Sequence, residues 1–152
     1  MVTQTIFDAY TKINPYNKER LINFLCQNHK RGFDVSCDCN LAVEYALKEI
    51  PSFGGFVLIA ELEANIVAAL IVNRSGIQGN NSQNNLVYFE VKEGFHKIGR
   101  NLLDKAIKLS NSDISIHLEP DNPMMDLFVK MGFQPAHVVM RFDAPEAKKS
   151  IA

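Results

Sequence analysis

The stretch Asn122-Pro-Met-Met-Asp-Leu-Phe-Val-Lys-Met-Gly-Phe133 decides the fold. Asn before Pro fits a helix N-cap with proline at the first helical position, where a missing N–H leaves no bond unmade. The helix closes on Met-Gly-Phe. Upstream lies a short strand, Ile114-Ser-Ile-His-Leu118. Before it, Ile98, Leu102, Ala106 and Leu109 keep the spacing of a core-facing helix. That helix follows a loop over residues 92–97 and the strand Leu86-Val-Tyr-Phe-Glu-Val91.

The N-terminal half predicts a first strand over residues 4–10 and a turn at Asn14-Pro15. A helix runs from Asn17, a capping residue, to Arg31-Gly32, with Leu21, Ile22, Phe24 and Leu25 as its apolar stripe. A second helix is capped by Asp38 or Asn40 and stopped by Pro51. Gly54-Gly55 then opens a β region. The run Phe56-Val-Leu-Ile-Ala-Glu-Leu62 reads as a buried strand. Glu63-Ala-Asn65 turns it into a partner, Ile66-Val-Ala-Ala-Leu-Ile-Val72, as a hairpin. Residues 74–85, rich in Gly, Asn, Ser and Gln, form a long loop. Consecutive strands followed by alternating helices and strands predict a mixed sheet with helices on its faces.

The chain has 152 residues, 47% of them hydrophobic, enough for one domain with a core of its own. A formal net charge of -1 exerts no long-range pull on nucleic acid or a membrane surface. No apolar run reaches the length of a membrane span, and Met-Val-Thr-Gln-Thr does not begin a secretory signal, so a cytoplasmic protein is expected. Cys26, Cys37 and Cys39 cannot all pair. With His29 as the one neighbouring ligand type they read as ordinary thiols rather than a zinc site.

These residues resemble the GNAT family of N-acetyltransferases over residues 53–142, and more loosely over the two leading helices. Asn122…Leu127-Phe128-Val-Lys-Met-Gly-Phe133 resembles the family's N…(L)Y-x-K-x-GF helix and turn. Gln134-Pro-Ala-His-Val-Val-Met-Arg-Phe142 reads like its closing strands, with a tail over residues 143–152. The resemblance implies an α+β fold, an α/β/α sandwich. Its central sheet would be mixed and mostly antiparallel, with helices on both faces and a splayed fourth and fifth strand pair. Residues 1–52 would form the acceptor side and residues 53–142 the core with a coenzyme notch.

The same resemblance implies acetyl-CoA as co-substrate, its pantetheine lying along the fourth strand beside Phe89 and Val91. Its pyrophosphate would sit at the following helix N-terminus, on His96, Lys97, Ile98, Gly99 and Arg100, because free N–H groups and the helix dipole favour anions there. Asn122 and Phe128 complete the implied coenzyme contacts. The family loop reads Q/R-x-x-G-x-G/A. Here Gly99 matches its last glycine, Lys97 stands at the first, Gly94 stands at Gln or Arg, and the span from Val91 is about two residues shorter. Lys97 and Arg100 are cations able to compensate.

Acyl transfer to an amine needs a base for the amine and benefits from an acid for the leaving thiolate. Glu90, a carboxylate in an otherwise apolar strand, must face water, a partner or a site. It is the candidate base or amine anchor. Tyr88 shares its face by strand alternation and is the second catalytic candidate. Glu61 is another candidate base. His117 on the fifth strand is structural or a site residue, and His29, His96 and His137 show no ligand spacing. The family's acid, a tyrosine five residues before the Phe of Gly-Phe, is Phe128 here, which has no hydroxyl.

Three readings stay open. One is an acetyltransferase acting on a small amine or a protein amino group by direct attack in a ternary complex, with a homodimer among the assemblies open to it. The second is a GNAT-like module that binds acyl-CoA or a partner protein without turnover. The third is an unrelated α/β domain in which Met124, Met125, Phe128 and Met131 are core or interface surface.

Overall fold

The computed structural model describes residues 1–28, 35–48, 54–74, 84–136, 138 and 140–145, with backbone alone at 28 and 35–38. His29, Arg31-Gly32, Ile50-Pro51, most of the 74–85 loop, His137 and the Cys37 side chain lie outside the described residues. Residues Met1–Pro120 form one compact unit and Asp121–Ala152 a second.

The first unit runs β1 (Val2–Phe7), α1 (Pro15–Asn28), α2 (Val35–Ala46), β2 (Gly55–Leu62), β3 (Asn65–Arg74), β4 (Asn84–Val91), α3 (His96–Ser110) and β5 (Ile114–Ser115). The sheet order is β1-β2-β3-β4-β5. The first three pairings are antiparallel and β4–β5 is parallel, so the sheet is mixed and mostly antiparallel, as the α+β expectation requires.

The apolar runs of β2 and β3 make the sheet's centre, because both of their faces are covered. On one face Val57, Ile59, Ala69 and Ile71 share a core with Leu21 and Leu25 of α1 and Val43 and Ala46 of α2. Alternation turns Leu58, Leu70 and Val72 to the other face. There α3 lies against β2, β3 and β4, with Leu102, Leu103 and Ala106 buried. Each fully buried leucine or isoleucine contributes roughly 1.5–3 kcal/mol.

Three boundaries differ from expectation: α2 already begins at Val35, so Asp38 and Asn40 lie within the helix and do not cap it, and two others differ for local reasons. Asn14-Pro15 is not a free turn. Asn14 Oδ1 accepts the Asn17 N–H at 2.7 Å, so Asn14 caps α1 and Pro15 opens it. β1 ends at Phe7 because Asp8 Oδ1 accepts the N–H groups of Tyr10 and Thr11, both at 2.8 Å, and bends the chain away.

The β2–β3 hairpin turns on Glu63 and Ala64, both at positive φ (51° and 65°), the pattern of a type I′ turn. Arg20 of α1 braces it, donating to the Ala64 carbonyl at 2.7 Å and pairing with Glu61 at 3.3 Å. Cys39 is buried in the α1–α2 core and Cys26 half-buried at its margin, and neither is in a disulfide.

In the second unit α4 spans Met125–Lys130. Among the described residues of 134–145 none forms the expected closing strands, and Val138, Met140 and Phe142 are exposed. No helix among the described residues is long and apolar enough to cross a membrane.

Candidate functional site

β4 pairs with β3 from Asn84 to Val91, with one register shift, but with β5 only at Asn84↔Ile114 and Asn85↔Ser115. The strand expected over residues 114–118 is therefore two residues long, and the chain from Ile116 onward leaves the sheet while β4 continues to Val91. The wedge is pinned at its narrow end by Asn84, a polar side chain only 2% exposed. Its Nδ2 donates to Ser112 Oγ at 2.7 Å and to the Asp113 carbonyl at 3.1 Å, while Oδ1 accepts Arg74 Nε at 3.3 Å. One asparagine thus joins β3, β4 and the approach to β5. Ser115 Oγ adds a bond to Asn85 Oδ1 at 2.8 Å. The expected splay of the fourth and fifth strands is present.

At the wide end β4 turns directly into α3. Phe95 N–H donates to the Lys92 carbonyl at 3.1 Å, and Gly94 makes the turn at φ 90°. That backbone conformation explains a glycine where the resemblance places Gln or Arg. The start of α3 has no side-chain cap and no acid in its first turn. His96, Lys97 and Arg100 are exposed around it and Ile98 is half-buried. The leading N–H groups of a helix have no acceptor within it, and its dipole makes this end positive.

Gly99 is buried one turn in. A Cβ built there would lie 2.5 Å from Val91 Cγ2 and 3.1 Å from Cγ1. Valine is stiff at χ1, so the absence of a side chain at 99 is what lets α3 close on the end of β4. The glycine that aligned with the family loop serves helix–strand packing.

Tyr88 packs against the α1–α2 core, across from Ile71, and Glu90 lies across from Ala69 on the same face. Val91, which abuts Gly99, is on the α3 face, and alternation gives Phe89 that face as well. The coenzyme candidates of β4 and its acid–base candidates therefore point to opposite sides of the sheet. The register slips between Ile71↔Tyr88 and Val72↔Leu86, leaving Val87 as the extra residue of a β-bulge. Glu61 pairs with Arg20 at the hairpin, at 3.3 Å. His117 lies exposed beyond the end of β5. Among the described residues no three His, Cys, Asp or Glu side chains gather as a metal site. Lys92, just past β4, lines a cavity on the α1 side with Phe24, Gln27, Asn65 and Ile66. A lone lysine after a strand carries no sequence signal, and its neighbours come from other elements.

In the second unit Asn122 Oδ1 accepts the Met124 N–H at 2.8 Å. It turns the chain before α4 from two residues ahead of Met124, which holds the N-cap position expected for Asn122. α4 ends in a Schellman motif: Phe133 N–H bonds to the Phe128 carbonyl at 3.0 Å and Gly132 N–H to the Val129 carbonyl at 3.1 Å. Phe128 is 2% exposed and meets Phe133 edge-on at 5.1 Å, the apolar contact that accompanies this cap. The Met-Gly-Phe signature is this cap.

No protein-family model matches the chain, and no curated protein matches it in sequence. Solved structures match its fold. The aminoglycoside N-acetyltransferase AAC(6')-Iy in complex with CoA superposes with a TM-score of 0.67 at 13% identity, over 95% of this chain and 96% of that one. A ribosomal-protein-alanine N-acetyltransferase from Brucella melitensis biovar Abortus 2308 gives 0.61 at 13% identity, over 93% and 100%. A transcriptional regulator from Bacillus halodurans C-125 gives 0.65 at 13% identity, again over 93% and 100%. The fold is that of the GNAT N-acetyltransferases.

Proposed function

We propose that this chain is an acetyl-CoA-dependent N-acetyltransferase for a small amine or a protein amino group, working by direct transfer in a ternary complex. The observation that carries the reading is the wedge between β4 and β5, opening beside an uncapped, cation-flanked helix start. Structures sharing the fold include acetyltransferases, one crystallised with CoA.

The residues present suit this co-substrate. The N–H groups of His96, Lys97 and Ile98, with the Lys97 and Arg100 cations, hold the pyrophosphate, and no carboxylate in the first turn opposes it. The edge of β4 toward Val91 takes the pantetheine as a strand would be taken. When bound, acetyl-CoA supplies the acyl group as a thioester. Glu90 takes the proton of the amine, whose nitrogen forms the new bond to the acyl carbon as the carbon–sulfur bond breaks. The electron pair leaves on sulfur, and Tyr88, the one hydroxyl of β4, returns a proton to it. The Val87 N–H at the bulge is the backbone donor for the thioester oxygen.

Thiol release from acetyl-CoA over a panel of amines tests the proposal. Glu90→Gln should lower turnover about 100-fold at neutral pH, the lower end of what a positioned base supplies. Turnover that survives the substitution at every pH removes Glu90 as base. A second reading, binding without turnover, is favoured by Phe128, a buried ring with no hydroxyl where the family's acid stands. Heat of binding without thiol release would select it.

A further inference from the structure

Lys92 extends β4 by one step, its N–H donating to the Val67 carbonyl at 2.8 Å. Strand alternation therefore sets it on the face that carries Glu90 and Tyr88. Two residues of strand put Glu90 and Lys92 about 7 Å apart. A carboxylate and then an ammonium, in line on one face, mirror the charges of a zwitterion. The Lys92 ammonium has no ion pair or hydrogen bond among the described residues.

It opens instead on the cavity of about 250 Å³ that Phe24, Gln27, Asn65 and Ile66 share with it. Its accessible lining is mostly polar, with Phe24 and Ile66 as the apolar minority beneath Gln27, Asn65 and Lys92. Gln27 offers an amide donor beside the ammonium. Asn65 Nδ2 is drawn toward the Glu63 carbonyl at 3.3 Å, which leaves Lys92 and Gln27 as the pair facing an anion.

We infer that this cavity seats the carboxylate of the acceptor. The acceptor is then a small amino acid or short peptide, with its amine at Glu90 and its carboxylate at Lys92, about 7 Å away. This rests on the acyltransferase reading and narrows it. A polycationic acceptor would set an ammonium against Lys92, a like-charge contact in a small cavity.

The full chain, isotope-labelled and saturated with CoA, is titrated with glycylglycine and with glycylglycinamide, which differ in the carboxylate. The expected result is amide shifts at Phe24, Gln27, Ile66 and Lys92. Glycylglycine should bind about tenfold tighter than the amide, as a charge-assisted contact supplies. Lys92→Gln, an exposed substitution, should abolish that advantage while CoA affinity stays unchanged. Equal binding of the two peptides, an advantage that survives Lys92→Gln, or bound CoA with no shift at these residues each overturns the inference and leaves the acyltransferase reading standing. Failure of CoA itself to bind, read in the same samples, overturns both.

Discussion

Gly99 packs against Val91 with no room for a side chain between them. Alanine at 99 gains about 1 kcal/mol of helix propensity, but its methyl would enter the 2.5 Å approach to Val91 Cγ2, and overpacking costs about 1–3 kcal/mol. Gly99→Ala is expected to destabilise the chain by up to about 2 kcal/mol in urea unfolding. Val91→Ala in the same chain should recover part of that loss by making room. Strictly additive losses would show that the two do not meet. At Phe128 the residue scale explains a departure: the ring closes the Schellman motif against Phe133, a contact worth roughly 0.5–1.5 kcal/mol that a hydroxyl does not improve.

At the scale of elements, the start of α3 is the phosphate-sized feature. Lys97→Glu with Arg100→Glu reverses two charges beside the helix end without touching buried groups. Each exposed charge at a helix terminus is worth about 0.3–1 kcal/mol, so the pair should weaken CoA binding at least about tenfold at low salt. The gap should narrow as salt screens it. Calorimetry reads both, and unchanged affinity would place the pyrophosphate elsewhere.

Much of this scale was legible in the sequence. The apolar runs of β2 and β3, the hairpin between them and the periodic face of α3 each follow from short-range pattern, although the turn is one residue tighter than the expected Glu63-Ala-Asn65 because Asn65 already pairs in β3. What was not legible depends on partners far along the chain. β5 stops after Ser115 because pairing, and not the Ile114–Leu118 composition, defines a strand. Glu61 is claimed by Arg20, 41 residues earlier. The Lys92 cavity takes its walls from α1 and β3. Asn14-Pro15 was misread for a different reason, since one dipeptide serves turns and helix starts alike.

At the scale of the first unit, the sheet divides the proposed labour. Phe89 and Val91 face α3, and Tyr88, Glu90 and Lys92 face α1, so two substrates approach β4 from two sides and meet at its edge. Such a plan needs a rigid β4, and its pairing to β3 from Asn84 to Val91 provides it. The Asn84 clamp fixes where the wedge begins. The measurement that tests this most directly is hydrogen exchange of the full chain with and without CoA. The account predicts new protection at residues 86–91 and 96–100, with β1 and β2 unchanged. Absence of binding at millimolar CoA, or protection confined to other residues, would contradict it.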